Sequence, residues 1–543
     1  MLTGLRLGPW RILTVVALLL LLFFMRWAPH GSLSALTGDS SINLYIGQQV
    51  NNGLTPYADA WEDKPPLIFW LNAFALRFTP GSARGIVCLA YLFVLAFFIA
   101  AWAALRPQVG NYPTMFALLL AVNLLPEVML CPNITEVFSL PFQAISFLLL
   151  CREAEDGSQP YYPALQGLLA AALFQLRANN TAVIGLYIIA SVFERIRRRE
   201  IRRLVVSFAV FVAAFAIGNV AVLWTIIERG CFHQYWAAVF RFGSQYSTMR
   251  PAIMHVYAVS VGLLKISRFG GSVIAGATAA VVVAARPSWT NFRDRFAMLV
   301  LALFVLEVAG SAVSGRAYEH YFIMWLLPVT VMAGLFIQRC SDAIGLQRFA
   351  VWSFCGACTV LLAGSALDSA REFGNAVVKF NDQQANVVRY VRERTTPSDR
   401  VFAWNGFGDL PFRLGRRPAS RFFHAAAMLD VRSYRAQATE ALGDVERVGP
   451  KFILEYRHEP GMLPGIFAAI PGTPAEPASG APDSGDSRDA AISGTTDSWD
   501  TAALSEIKSR LRDRYESVYS DGSGVGVYEL KPARGSEPHR AVN

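Results

Sequence analysis

Residues 195–228 read RIRRREIRRLVVSFAVFVAAFAIGNVAVLWTIIE, and this stretch decides the class of protein. Its first nine residues contain six arginines, and the residues that follow are almost continuously apolar. An apolar helix of about 20 residues spans the hydrocarbon core of a bilayer, and basic residues next to a span collect on the cytoplasmic side. The stretch therefore predicts a membrane-spanning helix that begins at the cytoplasmic face.

The composition of the whole chain agrees with a membrane protein. Of its 543 residues, 54% are hydrophobic and 16% are charged, and the mean hydropathy is +0.36. One soluble core could not bury that much apolar surface. The net charge of +9 lies in short basic clusters between apolar runs, which is the pattern of cytoplasmic loops rather than of a surface that binds nucleic acid.

Hydropathy over a window of roughly 19 residues predicts an α-helical polytopic protein with about eleven spans. The predicted spans are centred on Leu19, Val94, Leu118, Phe147, Ala171, Leu186, Phe211, Ala277, Leu303, Leu326 and Leu361. The basic loops at 286–295 and 339–348 lie on the same side as the arginine cluster in this count. The N-terminus is therefore predicted to be cytoplasmic, in a multi-pass protein of the plasma or inner membrane.

Two domains are predicted, a transmembrane catalytic domain over 1–367 and an extracytoplasmic soluble α/β domain over 368–543. In the second, amphipathic periodicity predicts a helix over 381–394, and short apolar runs predict strands at 400–404, 451–455 and 524–530. Residues 460–500 are rich in Pro, Gly, Ser, Ala and Asp, which predicts a mobile insertion.

The first predicted outer loop, residues 29–84, holds the densest set of polar residues. It contains GDSSINLY at 38–45, GLTPY at 53–57 and WEDKPPL at 61–67. An acid just after the first span, followed by Lys-Pro-Pro entering an apolar stretch, resembles the GT-C membrane glycosyltransferases. More narrowly, it resembles the protein mannosyltransferase and aminoarabinose transferase-like group. The resemblance implies a polyprenyl-phosphate sugar as donor and a catalytic acid in this loop.

Further motifs extend the resemblance over most of the chain. They are PNITE at 132–136, RANN at 177–180, SGRAYEHY at 314–321, YVRERT at 390–395, DRVF at 399–402 and GRRPASRF at 415–422. Many relatives have an Asp-Glu pair in the first outer loop, whereas Ser40 follows Asp39 here. No second acid is therefore available at this position.

The predicted catalytic residues are Asp39 and Glu136. An acceptor hydroxyl must lose its proton as it attacks the anomeric carbon, and Asp39 is the candidate base for that proton. The departing lipid phosphate gains negative charge, which fixed cations stabilise in the transition state. Lys64, Arg177 and Arg316 are the candidate cations. A single displacement of this kind, like the resemblance, implies inversion at the anomeric carbon.

The candidates for substrate binding are polar or aromatic side chains in the same motifs, namely Tyr57, Asn133, Asn180, Tyr318 and His320. Structural interpretations stay open for several residues. Asp39 could cap a helix, Lys64 could extend to lipid headgroups, and Glu136 could complement a helix dipole. Residues 177–180 could form an ordinary polar turn.

Three further questions concern metal, substrate and function class. Asp39 and Glu136 could share a divalent cation, but the sequence has no dense His or Cys cluster, so no metal site and no certain cofactor is predicted. The acceptor could be a glycan, a lipid or a protein. A transporter would place polar residues near mid-membrane, whereas here they gather at one face. A lipid-linked glycan ligase or polymerase remains an alternative.

Overall fold

The structure is a computed structural model, and it describes most of the chain. The described residues are 38–129, 131–156, 159–248, 250–267, 270–284, 291–344, 385–406, 408–424, 431–456, 465–467, 500–520 and 525–532. They fall into two compact units. The helical unit contains the described residues of Lys64–Leu71 and Ser82–Asn375, and the sheet unit contains those of Leu36–Asp63, Asn72–Gly81 and Ala376–Asn543. The predicted domain boundary at 367 and 368 lies outside the described residues and stays a prediction.

Helices dominate the first part of the chain. In chain order they are α1 Gly38–Asn51, α2 Leu67–Phe78, α3 Arg84–Val109, α4 Asn111–Val128, α5 Thr135–Asp156, α6 Tyr161–Leu176, α7 Ala182–Arg197, α8 Ile201–Glu228, α9 Ala252–Ser267, α10 Gly271–Ala284, α11 Phe292–Ala312 and α12 Leu326–Ile344. A 3₁₀ turn spans Ala178–Thr181 before α7, and another spans Glu319–Trp325 before α12. Between α8 and α9, helical turns cover Phe232–Thr248, with a π-helical stretch at Ala237–Phe242.

Five helices within the described residues are long and apolar enough to cross a membrane. Counting the bent pair α9 and α10 as one span gives six. The predicted centres from Val94 to Leu326 all lie inside helices, whereas the centres at Leu19 and Leu361 are outside the described residues. The prediction of a polytopic helical membrane protein is confirmed. The count of eleven spans and the orientation of the termini stay predictions.

Close packing between α6 and α8 depends on two glycines. A Cβ atom added at Gly167 would lie 2.4 Å from the carbonyl oxygen of Phe211, and one added at Gly218 would lie 2.6 Å from the Cβ of Ala171. Small residues let membrane helices approach closely enough for van der Waals attraction, since no hydrophobic force drives them together within lipid. The two glycines therefore fix the distance between α6 and α8.

The sheet unit has a five-stranded mixed sheet in the order β2-β1-β3-β5-β4. The strands are β1 Arg400–Trp404, β2 Arg417–Pro418, β3 Phe452–Tyr456, β4 Tyr515–Ser520 and β5 Val525–Leu530. Strand β1 pairs in parallel with β2 and β3, and β5 is antiparallel to β3 and β4. Its helices are α13 at 385–393, α14 Asp409–Leu414, α15 Val431–Val448 and α16 Ala502–Arg514. The predicted small α/β domain is confirmed.

Helix α1 packs within the sheet unit against residues far away in the sequence. The Tyr45 hydroxyl donates to the Arg416 carbonyl at 2.9 Å, and the Gly408 N–H donates to Ser41 Oγ at 3.1 Å. Nearby, the fully buried His424 lies 3.2 Å from the carboxylate of Glu62. The start of the predicted first outer loop and the C-terminal region therefore belong to one compact unit.

Residues 468–499, most of the predicted mobile insertion, lie outside the described residues, and hydrogen bonds on one side and a salt bridge on the other hold the described chain that flanks them. On the N-terminal side, the Glu455 carboxylate accepts hydrogen bonds from the N–H groups of Ile466 at 2.6 Å and Phe467 at 3.1 Å. On the C-terminal side, Asp500 forms a salt bridge with the buried Lys508, with 2.9 Å between the Lys508 Nζ and a carboxylate oxygen. We call Glu455 and Lys508 the two anchors of this segment.

Burial of Glu455 predicts a pH-dependent stability for the sheet unit. Desolvation raises the pKa of Glu455 to about 7, against an ordinary value of 4.5, although hydrogen bonds from Ile466 and Phe467 favour the charged form. Between these two pKa values the folded chain retains a proton that the unfolded chain has lost, so stability falls as pH rises. The expected loss between pH 5 and 7.5 is about 2 kcal/mol in the free energy of unfolding.

Thermal unfolding of the purified full chain across this pH range measures the effect. Glu455→Gln should flatten the dependence on pH, because Gln does not titrate. Glu516→Gln, at an exposed position on β4, is the matched control and should leave the wild-type slope intact. A wild-type slope in Glu455→Gln would assign the effect to another group.

Candidate active site

Glu136 lies in the first turn of α5, at the end of a buried polar turn. Asn133 and Thr135 are fully buried, and the Thr135 hydroxyl donates to Glu136 Oε2 at 3.0 Å. The carboxylate itself is 1% exposed. Its partner is Arg177, whose guanidinium donates to Glu136 Oε1 in a salt bridge. A buried carboxylate in this position requires such a cation, because an unpaired buried charge is costly.

Arg177 is held from a second side by an aromatic ring. The residue has extended backbone between α6 and the 3₁₀ turn Ala178–Thr181, and its guanidinium carbon lies 4.1 Å from the centre of the Tyr321 ring. A cation over an aromatic face is stabilised by about 0.5 to 2 kcal/mol. Arg177 is therefore fixed between the Glu136 carboxylate and the Tyr321 ring.

The SGRAYEHY motif supplies the rest of this group of side chains. The Tyr321 ring meets the Tyr318 ring edge-on at 5.4 Å and the His320 ring at 4.7 Å between centroids. The Arg316 side chain donates through Nη1 to the Tyr318 hydroxyl at 3.0 Å. Gly315 has φ of +62°, a backbone conformation that glycine adopts without strain, and so turns the chain into the motif.

We call the six side chains linked by these contacts the Glu136 cluster. Its members are Glu136, Arg177, Arg316, Tyr318, His320 and Tyr321. Five of them are among the predicted site residues. Tyr321 is the exception, because its contact with Arg177 joins residues that are far apart in the chain.

A buried polar stripe on α5 supports the cluster. Ser139 accepts a hydrogen bond from Asn180 Nδ2 at 2.8 Å, and Gln143 donates to Glu307 Oε1 at 2.6 Å and to the Met324 carbonyl at 2.9 Å. Residues 136, 139 and 143 share one helical face. The stripe therefore joins α5 to the turn that carries Arg177 and to the segment that carries Tyr321.

Glu307 and Gln143 are absent from the predicted site. Each lies in the middle of an apolar stretch of sequence, where an ionisable residue is by itself a sign of function or of polar contacts between helices. That sign was available in the sequence for Glu307. The partner was not, because the contact between Gln143 and Glu307 connects α5 with α11.

Asn180 and Asn133 are both predicted to bind substrate, and both are buried in the helical unit, with 3% and 0% exposure. Asn180 donates to Ser139, which gives it a structural contact as well. Lys64 is partly buried just before Pro65 and α2. The roles of these three residues stay predictions.

Asp39 and Tyr57 belong to the sheet unit. Asp39 lies in the first turn of α1, which begins at Gly38, so a favourable interaction with the helix dipole is available to it. Tyr57 is fully buried and has φ of +71°, an unusual backbone conformation for a residue with a large side chain. The catalytic role of Asp39 and the binding role of Tyr57 stay predictions.

The described residues contain no group of three or more His, Cys, Asp or Glu side chains placed to hold a metal ion. The divalent cation that Asp39 and Glu136 could share stays a prediction. Within the helical unit, Glu136 is already engaged by a cation of the protein, Arg177.

Comparison with known proteins adds to this geometry. Residues 63–224 match the family described as dolichyl-phosphate-mannose-protein mannosyltransferase. No curated relative matches the chain by sequence. ArnT from Cupriavidus metallidurans bound to undecaprenyl phosphate is similar in structure, with a TM-score of 0.55 at 12% identity over 96% of this chain and 98% of that chain.

Two further solved structures are similar. ArnT from Cupriavidus metallidurans in the apo state has a TM-score of 0.55 at 13% identity, and the alignment covers 82% of this chain and 92% of that chain. An oligosaccharyltransferase from Archaeoglobus fulgidus in complex with Zn and sulfate has a TM-score of 0.50 at 14% identity, and the alignment covers 81% of this chain and 68% of that chain. Together with the family match, which includes Glu136 and Arg177, these likenesses confirm the resemblance seen in the motifs. The chain has the GT-C fold and is similar, over residues 63–224, to the protein mannosyltransferase family of membrane proteins.

Proposed function

We propose that this protein transfers a sugar from a polyprenyl-phosphate donor to an acceptor hydroxyl at the extracytoplasmic face of the membrane. The observation that carries the proposal is the Glu136 cluster, in which two arginines lie among aromatic side chains in a helical membrane unit. The matched family is described by a dolichyl-phosphate sugar, and the similar Cupriavidus protein was solved with undecaprenyl phosphate. Both support a lipid-phosphate donor.

The chemistry is one displacement at the anomeric carbon. The acceptor oxygen forms a bond to that carbon while the bond to the phosphate oxygen breaks, and the bonding electrons leave with the lipid phosphate. The configuration of the sugar is thereby inverted. Asp39 is the proposed base for the proton of the acceptor hydroxyl, and the acceptor is a glycan, a lipid or a protein.

The cluster supplies charge to the departing phosphate. Arg177 and Arg316 are fixed before the reaction begins, so little reorganisation is needed as negative charge develops on the leaving group. The planar guanidinium group can donate to two phosphate oxygens at once. Lys64 is the third proposed cation, at the entry to α2.

Glu136 acts through Arg177 in this proposal. Its carboxylate is buried and already receives hydrogen bonds from Arg177 and Thr135, so it orients the guanidinium and balances part of its charge. Because Glu136 has this positioning role, Asp39 remains the proposed base for the proton of the acceptor hydroxyl. The predicted catalytic importance of Glu136 is kept, with positioning as its role.

The test uses purified full-length protein with undecaprenyl-phosphate mannose and undecaprenyl-phosphate arabinose as donors and a membrane extract as the acceptor source. Mass spectrometry should detect free undecaprenyl phosphate and a glycosylated product, and both should form at least about 100-fold more slowly with Arg177→Ala. Vesicles that contain the protein and take up a sugar, without any glycosidic product, would instead establish a transporter.

A further inference from the structure

A groove with a mixed polar and apolar lining lies within the sheet unit, between the C-terminal ends of α1 and α2 and the turn after α14. Its volume is about 470 Å³. The polar side chains that line it are Gln48, Asn51, Asn52 and Arg77, and none of its lining residues is acidic. The Glu136 cluster belongs to the helical unit, so this groove is built from different residues.

Close packing of α1 on α2 holds the walls of the groove. A Cβ atom at Gly47 would lie 2.5 Å from the Cβ of Asn72, so only glycine permits this approach. On the other side, Gly415 ends α14 in the left-handed conformation, with φ of +66°. It adds backbone but no side chain to the lining, which leaves the groove open.

The amide of Asn51 contacts the Arg77 side chain at the groove. Asn51 Nδ2 donates to the Ala73 carbonyl at 2.8 Å, and its Oδ1 accepts from Arg77 Nε at 3.4 Å. No carboxylate in the described part of the chain pairs with Arg77. The outer nitrogens of its guanidinium group therefore remain available to an anion, which they can bind through two parallel hydrogen bonds.

Whereas Arg77 offers hydrogen-bond donors to the groove, Gln48 offers a hydrogen-bond acceptor. Its Nε2 donates to the Phe412 carbonyl at 3.3 Å, whereas its buried Oε1 has no hydrogen-bond partner. A buried carbonyl oxygen without a donor is unfavourable, and a hydroxyl group would satisfy it. A phosphodiester has no such donor, whereas a sugar does.

We propose that this groove binds an acidic saccharide, with a phosphate or carboxylate group on Arg77 and hydroxyl groups on the amides of Gln48 and Asn52. Amide groups both donate and accept, as sugar hydroxyls do. The bound saccharide would be part of a charged glycan to which the sugar is transferred, and this role of the groove rests on the proposed function. The binding itself does not depend on catalysis.

The experiment measures binding by saturation-transfer NMR on the full chain in phosphatidylcholine nanodiscs. The probes are mannose 6-phosphate, glucuronic acid and mannose. Both acidic sugars should bind more tightly than mannose, and Arg77→Gln should weaken their binding about tenfold or more, because a charged hydrogen bond is lost. Asn52→Ala should weaken all three sugars, since it removes a neutral contact.

Arg84→Gln is the matched control. Arg84 is an exposed arginine at the start of α3 that does not line the groove, so its loss should leave binding unchanged. Equal binding of the acidic sugars to wild type and Arg77→Gln would overturn the proposal.

A second arm separates sugars from lipid headgroups, which also carry phosphate. If phosphatidylglycerol in the nanodisc abolished binding of mannose 6-phosphate while inorganic phosphate did not compete, the groove would be a lipid site and the proposal would be wrong. Binding of acidic sugars by a protein that shows no transfer from undecaprenyl-phosphate sugars would leave the groove established and refute the proposed function alone.

Discussion

Asp39→Asn is expected to lower sugar transfer about 100-fold or more, the usual scale for the loss of general-base catalysis. The amide has nearly the shape of the carboxylate but cannot accept the proton. Asp39 lies in the first turn of α1, where the charge stabilises the helix by at most about 1 kcal/mol. The variant should therefore remain folded, with binding of the donor nearly intact and turnover strongly reduced.

Asp59→Asn is the control for this experiment. Asp59 lies in the same predicted outer loop, is exposed, and accepts a hydrogen bond from the Thr55 N–H at 2.8 Å. An amide oxygen can still accept that bond, so turnover should stay at the wild-type level. Wild-type turnover in purified Asp39→Asn would show that another group takes the proton.

Arg177→Ala is expected to reduce transfer by at least about 100-fold. It removes a cation at the departing phosphate, where a single preorganised donor contributes about 10²- to 10³-fold. It also leaves the buried Glu136 carboxylate without its salt bridge, which typically costs about 3–5 kcal/mol in the free energy of unfolding, so the folded state of the variant is checked separately. Arg177→Lys keeps the charge but loses the planar contact over Tyr321, so its activity should be intermediate.

Steady-state kinetics with donor and acceptor varied separately distinguish these effects. The loss in Arg177→Ala should appear in turnover and in the dependence on donor, with the dependence on acceptor unchanged. Arg203→Ala removes an exposed arginine whose salt bridge with Glu200 is on the surface, and it should be almost silent. A change confined to the acceptor dependence would move Arg177 to the acceptor site.

Long apolar helices were the most predictable part of this fold, and α9 shows where prediction failed. Helix α9 spans Ala252–Ser267 and α10 spans Gly271–Ala284, with a bend of 103° between them. A window of about 19 residues is longer than either helix. It therefore predicted one span centred on Ala277 and did not predict α9.

Buried strands were predictable from the sequence, whereas exposed or very short strands were not. The buried strands β1 and β3 and the largely buried β5 were predicted to within a residue or so, because each is a short apolar run. Strand β4 has the sequence YESVYS and is mostly exposed at the sheet edge, so it has no clear apolar signal. Strand β2 has only two residues, too few to form a pattern.

The sequence indicated which residues are candidates for the site, but not which of them contact one another. Glu136, Arg177 and Arg316 are charged residues beside apolar stretches, which marks them as candidates for function or for polar contacts between helices. Their pairing depends on which helices meet in space, and the contact from Gln143 to Met324 crosses 181 residues. Periodicity within a helix cannot supply such information.

The two anchors, Glu455 and Lys508, have a practical consequence for structure determination. They fix the chain on both sides of residues 468–499, so we expect a change in the number of residues between them to leave both contacts and the neighbouring strands in place. An antibody epitope or a small rigid protein inserted between these residues would leave the core strands intact. Such an insertion would add a mass by which particle images of the protein could be aligned.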